Sequence, residues 1–245
     1  MELIIKVCGM REPSNVLQLQ ELDIDWMGMI FFKKSARNIE QPISIKKETP
    51  RVGVFVNEKL SIIFQKIEDY NLDLVQLHGD ESVDFCRKIK ENFRSETTRP
   101  PFGLREARQD VKLSEVAKTS RFSQSEGRSH IPLPKKIIKV FSVGNDFDFS
   151  RLKPYEAVVD YFLFDTKGES RGGNGVVFDW DILKKYNSNV PFLLSGGISE
   201  DSVEAIKAFR HPKMIGIDIN SRFEIEPAFK DIKKIKTFIH ELRSK

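Results

Sequence analysis

Leu3-Ile4-Ile5-Lys6-Val7-Cys8-Gly9 opens the chain, and its reading decides the fold. The apolar run makes a short first strand, and Gly9 lets the backbone turn directly after the thiol. A doubly wound nucleotide-binding sheet needs a glycine-rich turn at this point, and Cys8-Gly9-Met10 is not one. A thiol that ends a first strand stands instead at the mouth of a barrel. Phe162-Leu163-Phe164-Asp165-Thr166-Lys167-Gly168 repeats the arrangement far downstream, with a carboxylate in the thiol's place. One strand-end base and one strand-end acid are the minimal equipment for moving a proton across a substrate.

Outward from these two points, strand-like and helix-like segments alternate. The pattern predicts strands at Leu3–Val7, Trp26–Phe31, Arg51–Val56, Leu72–Leu77, Ile137–Phe141, Tyr161–Phe164, Pro191–Leu194 and Met214–Ile219. Helices are expected over Glu12–Leu22 and Leu60–Tyr70, from a Ser82 cap to about Phe93, and over Phe149–Tyr155. Three more follow: one from Asp179, one at Asp201–Phe209 and one at Pro227–Leu242. Eight strands, each followed by a helix or its remnant, predict an α/β fold: a single (β/α)8 TIM barrel of parallel strands spanning residues 1–245. The rhythm breaks from about Ser95 to Lys136, which is Ser/Arg/Glu/Gln-rich with little periodicity. It reads as a long flexible insertion between the fourth helix and the fifth strand, entering on the face opposite the active site.

The chain has 245 residues, enough for one barrel of this kind, and 40% hydrophobic content supplies a sizeable core. Forty basic residues against 36 acidic ones leave a net charge of +4. So near a balance suits a small anionic substrate and not nucleic acid, which calls for a clustered basic face. Two cysteines, Cys8 and Cys86, make no disulfide framework, and no Cys/His spacing of metal-ligand type occurs. A reducing, cytoplasmic setting is the expectation, without signal peptide or membrane span. Cys86, near Phe85 and Ile89 on a helix, reads as packing.

In barrels of this class phosphate often binds at the loops after strands seven and eight. Ser195-Gly196-Gly197-Ile198-Ser199 suits that role, because adjacent glycines let backbone N–H groups approach an anion. The eighth strand turns abruptly polar at its end, with Asp218, Asn220 and Ser221 as candidate contacts. The Gly168–Gly175 loop reads as a lid over bound substrate. Lys6 shares a strand face with Cys8, so its charge is available to lower the thiol's pKa.

Together these residues resemble the phosphoribosylanthranilate isomerase family of tryptophan biosynthesis. The resemblance is carried by Lys6-Val7-Cys8-Gly9, Gly28-Met29-Ile30-Phe31 with Ser35-Ala36-Arg37, and Val52-Gly53-Val54-Phe55-Val56. It continues through Val75-Gln76-Leu77-His78-Gly79-Asp80-Glu81, Phe164-Asp165, Gly172–Gly175 with Phe178-Asp179-Trp180, and Leu194-Ser195-Gly196-Gly197-Ile198. It implies an Amadori rearrangement of N-(5-phosphoribosyl)anthranilate without cofactor or metal, the partner being a small phosphosugar. Apolar residues on loops and terminal helices leave monomer and homodimer both open as expectations. By the same resemblance Cys8 is the base, Asp165 the acid, and Arg37 the grip on the anthranilate carboxylate, while His78 lines the site. Ala36, Asn174, Arg222, Phe223 and Ala228 depart from the family pattern, which bears on loop stiffness and phosphate contacts. Two rivals predict other residues. The histidine-pathway isomerase resembles a pair of aspartates, against which Cys8 argues. A non-catalytic phosphate-binding barrel has no need of both Cys8 and Asp165.

Overall fold

A computed structural model describes residues 3–41, 43, 49–98, 135–166 and 180–244. Its strands are β1 (Ile4–Val7), β2 (Trp26–Ile30), β3 (Arg51–Phe55), β4 (Leu74–Leu77), β5 (Lys136–Val143), β6 (Tyr161–Thr166), β7 (Phe192–Ser195) and β8 (Met214–Ile219). They pair in parallel and in chain order, and β8 returns to β1 to close the barrel. Helices α1 (Pro13–Gln20), α2 (Leu60–Asp69) and α3 (Val83–Thr98) follow the first, third and fourth strands. After β5 and β6 the helices are short 3-10 segments, Phe149–Tyr155 and Trp180–Lys185. α4 (Val203–Ala208) follows β7, and α5 (Ile232–Arg243) ends the described chain.

Alternation along each strand separates two apolar layers. Val52, Leu74, Ile138, Val140, Leu163 and Leu193 point inward and fill the barrel. Ile5, Val7, Met27, Met29, Phe55, Val75, Phe162, Phe164 and Phe192 point outward into the larger core beneath the helices. Short 3-10 segments cover β5 to β7 because aromatic rings do the filling. Tyr186 meets Phe162, Phe164 and Phe192 edge to face, and Phe164 packs stacked on Phe162 and tilted on Phe192, with centroids 5.0–6.3 Å apart.

The element boundaries differ from the sequence reading in informative places. Ser82 does cap α3, its Oγ accepting from the Phe85 amide at 3.2 Å, but the helix runs to Thr98 and not to about Phe93. Of the expected 95–136 insertion, 99–134 lies outside the described residues, as does the whole Gly168–Gly175 loop. α4 is shorter than expected because Glu200–Ser202 forms a 3-10 turn with a Ser199/Ser202 capping box. The largest correction is at Pro227–Leu242. Ala228 takes a positive φ of 72°, and strands β9 (Glu224–Glu226) and β10 (Phe229–Lys230) form a small antiparallel hairpin around it. α5 begins only after Asp231, whose carboxylate caps it by accepting from the Lys234 amide at 3.0 Å.

Phe164 is fully buried one residue before Asp165. Phe164→Ala is expected to cost about 3–5 kcal/mol, measured as a lowered urea midpoint with an unchanged m-value.

Candidate active site

The inward-facing residues at the carboxyl ends of the strands turn polar, and they line one pocket. Cys8, Ile30, Val54, Gln76, His78, Asp165, Ser195 and Asp218 come from seven of the eight strands or their exits. Gly196, Gly197, Ile198, Asn220, Ser221 and Arg222 come from the loops that follow. Cys8 and Asp165, 157 positions apart by subtraction (165 − 8), therefore meet at one rim.

Backbone bonds on both sides hold the thiol in place. The Cys8 amide donates to the Ile219 carbonyl at 2.9 Å, and the Gly9 and Met10 amides both donate to the Gly28 carbonyl. A Cβ at Gly28 would lie 2.7 Å from the Cys8 Sγ, so only glycine in β2 leaves room for the thiol. Cys8 is 4% exposed. Burial pushes its thiol above the ordinary value, while the ammonium groups of Lys6 and Lys230 act against that rise.

Lys6 lies one layer below, with its side chain wholly buried. Its Nζ donates to Asp218 Oδ1 at 2.7 Å, across the register that pairs Lys6 with Asp218 between β1 and β8. Burial works against the Lys6 charge, but the Asp218 carboxylate and the neighbouring Cys8 outweigh it, and lysine keeps its proton more tightly than usual. The sequence reading placed Asp218 among the substrate contacts. In the fold it lines the pocket with one oxygen committed to Lys6.

Asp165 leaves β6 about one-third exposed, and the His78 Nε2 stands 3.7 Å from its Oδ2. His78 is held from below by a buried clamp that sequence reasoning missed. Lys139 of β5 donates to the Gly79 carbonyl at 2.7 Å and lies 3.3 Å from Glu81, which itself accepts from the Asn57 and Gly79 amides. Its only sequence signal was a lysine inside an apolar strand.

At the opposite end, Gly196 and Gly197 adopt φ values of 98° and 69°. Ser221 and Arg222 line the same part of the pocket. Asn220 is tied back, its Oδ1 accepting from Lys230 Nζ at 2.7 Å. Arg37 approaches from the loop after β2, where Glu224 grips its guanidinium; it is not among the side chains that line the pocket. Glu224 and Lys230 were also missed, since both lie in a stretch read as loop and helix start. Among the described residues no group of three or more His, Cys, Asp or Glu side chains is placed to hold a metal ion. No described helix is long and apolar enough to cross a membrane.

A closed parallel barrel with a thiol, carboxylates, an imidazole and a glycine loop gathered at its carboxyl-terminal rim defines an enzyme of the (β/α)8 class. Within that class the chain matches the family model for N-(5'-phosphoribosyl)anthranilate (PRA) isomerase over residues 5–100 and 121–241. The chain belongs to this family, and it is an isomerase. The N-(5'-phosphoribosyl)anthranilate isomerase of Parabacteroides distasonis is 40% identical over 247 residues, covering 98% of this chain and 93% of that protein. Phosphoribosyl anthranilate isomerase from Thermotoga maritima superposes with a TM-score of 0.71 at 28% identity, over 99% of both chains. A structure of phosphoribosyl anthranilate isomerase in complex with reduced 1-(o-carboxyphenylamino)-1-deoxyribulose 5-phosphate gives a TM-score of 0.70 at 26% identity, again over 99% of both.

The Lys6–Asp218 pair makes a sharp stability prediction. Lys6→Met strands a buried carboxylate and is expected to cost about 3–5 kcal/mol, and adding Asp218→Asn should recover most of that loss in urea denaturation. Losses that simply add would show that the two groups act independently.

Proposed function

We propose that the chain converts N-(5-phosphoribosyl)anthranilate to 1-(2-carboxyphenylamino)-1-deoxyribulose 5-phosphate, an Amadori rearrangement in tryptophan biosynthesis, with Asp165 as general acid and Cys8 as general base. The observation that carries the assignment is the meeting of Cys8 and Asp165 in one pocket, in a chain of this family.

The reaction moves protons only. Asp165 donates its proton to the furanose ring oxygen, the C1–oxygen bond breaks, and the nitrogen lone pair forms the protonated Schiff base. The Cys8 thiolate then removes the proton from C2, and that electron pair neutralises the iminium to give an enolamine. Loss of the enol proton and protonation of C1 yield the ketone, so no proton is gained or lost overall.

Burial holds the resting Cys8 thiol neutral, and catalysis requires the thiolate. The iminium brings a positive charge beside the carbon that loses its proton. Lys6, fixed beneath the thiol by Asp218, adds a cation that favours the thiolate, offset in part by the Asp218 carboxylate itself. Ring opening therefore favours the thiolate where it is needed: the thiol's proton passes through solvent to the Asp165 carboxylate, which has just protonated the ring oxygen, and Cys8 is reprotonated from C2.

The phosphate is assigned to the Gly196–Gly197 loop and to Ser221, which line the pocket and carry backbone N–H groups and a hydroxyl suited to an anion. Arg222 adds a cation there that the family's usual glycine lacks. Asn220 and Asp218 shape the pocket wall through Lys230 and Lys6. His78 is assigned to the wall beside the acid, with no proton transfer of its own. Arg37 is assigned to the anthranilate carboxylate, which a guanidinium takes through two parallel hydrogen bonds. No step is assigned to residues 95–136 of the single barrel domain. Nothing in the chemistry asks for a cofactor, metal or nucleic acid.

The test follows loss of phosphoribosylanthranilate fluorescence. Cys8→Ser and Asp165→Asn are each expected to lose turnover by about 10²–10⁴-fold, the range for removing a general acid or base, with circular dichroism unchanged. Undiminished activity in either variant would remove that residue from the mechanism.

A further inference from the structure

The groups behind Arg37 form a cluster that the proton-transfer steps leave unused. Glu224 accepts from Arg37 Nε at 2.8 and 3.0 Å through its two oxygens, and from Nη2 at 2.5 Å. Its Oε1 also accepts from Lys230 Nζ at 2.6 Å and from the Ala228 amide at 3.3 Å. Lys230 donates in addition to the Asn220 carbonyl and side chain, at 3.2 and 2.7 Å. The Lys230 side chain is fully buried, that of Glu224 5% exposed and that of Arg37 22% exposed. Buried Asn15 of α1 holds the Lys230 backbone on both sides, accepting from its amide at 2.7 Å and donating to its carbonyl at 2.9 Å. Each member is therefore anchored to a different part of the barrel rim.

Two features of the cluster suit it to an anionic ligand. Arg37 and Lys230 carry two positive charges against the single carboxylate of Glu224, and no other carboxylate bonds to either among the described residues. A guanidinium also has five N–H donors arranged as two forks. Glu224 takes the fork made by Nε and Nη2. The fork made by Nη1 and Nη2 keeps its remaining donors, and the stem that aims it crosses the space a side chain at Gly9 would fill, Arg37 Cδ lying 2.8 Å from that Cβ position.

We propose that Glu224 is a positioning residue for Arg37: it holds one edge of the guanidinium so that the other edge is presented as a rigid receptor for the substrate's aromatic carboxylate. Lys230 anchors Glu224 to the exit of β8, and the substrate carboxylate completes the charge balance of the cluster. The inference rests on the reading of Arg37 as the carboxylate contact and names the group that makes that contact specific. Lost freedom in the long arginine side chain is met when the protein folds, and does not weigh on substrate binding.

The experiment compares the wild type with Glu224→Gln and Lys230→Met. KM for phosphoribosylanthranilate is expected to rise roughly tenfold in each, the scale of one charge-assisted hydrogen bond, while kcat falls far less. Competitive inhibition by 2-aminobenzoate should weaken by the same factor, and inhibition by inorganic phosphate should hold steady. In an Arg37→Lys background, Glu224→Gln should add less than about twofold, because its only route to the substrate is gone. Equal weakening of both inhibitors, an unchanged KM, or a full further loss in the Arg37→Lys background would each overturn the proposal. If the wild type does not turn over phosphoribosylanthranilate, the isomerase reading fails on its own. Calorimetric binding of 2-aminobenzoate that still depends on Glu224 would then uphold the receptor, and binding indifferent to Glu224 would sink it.

Discussion

The pairing of Lys6 with Asp218 inside the closing seam of the barrel is the constraint on which the site depends. β1 and β8 are the first and last strands, and their register sets these two residues opposite each other. An ammonium with no exposed surface would be untenable alone, since desolvation would outweigh anything its packing returns. A carboxylate at 2.7 Å makes it tenable, and the pair sits directly under the thiol. Such a pair adds little net stability compared with an apolar substitute. What it adds is a fixed, oriented ion pair at the floor of the pocket, with its ammonium against the thiol.

The same physics recurs twice around the rim. Lys139 with Glu81 fixes the loop that carries His78, and Lys230 with Glu224 fixes Arg37. In all three cases a lysine with little or no exposed surface reaches from the strands or the hairpin to a carboxylate, and Lys139 and Lys230 donate to nearby carbonyl groups as well. The barrel thus places its polar groups in a layer above the apolar filling of Val52, Leu74, Ile138, Val140, Leu163 and Leu193. Flexible loops would hold these side chains loosely; ion pairs seated on strand ends hold them in register with one another.

Strands were the most legible part of the chain. Short apolar runs such as Met214–Ile219 match the observed strand residue for residue, because strands buried on both faces leave an unmistakable pattern. Helices were less so. The segment from Pro227 reads as a helix start, since proline is favoured there, yet a positive φ at Ala228 and the β9–β10 hairpin place α5 five residues later. Periodicity from Lys233 onward is the same in either case, so only the paired backbone of the hairpin separates them. Among site residues, Cys8, His78, Asp165, Gly196, Gly197, Asp218, Asn220 and Ser221 all line the pocket, as their strand-end positions suggested, while Arg37 stands behind it. The pairings of Glu224 with Lys230 and of Glu81 with Lys139 escaped notice because a charged residue in a loop or strand looks alike whether solvated or paired across the fold.

By itself the sequence determined the barrel, the rim at which the chemistry sits, and the family. Alternation of apolar residues dictates which side chains face inward, and strand ends dictate which of those are polar. Tertiary structure alone decided the partners. Whether Asp218 meets a phosphate or a lysine, and whether Arg37 is free or held, depends on how strands remote in the chain are registered against one another. Ion pairs formed over 212 and 187 positions of sequence leave no local pattern, because their energy comes from burial and distance, which exist only once the barrel has closed.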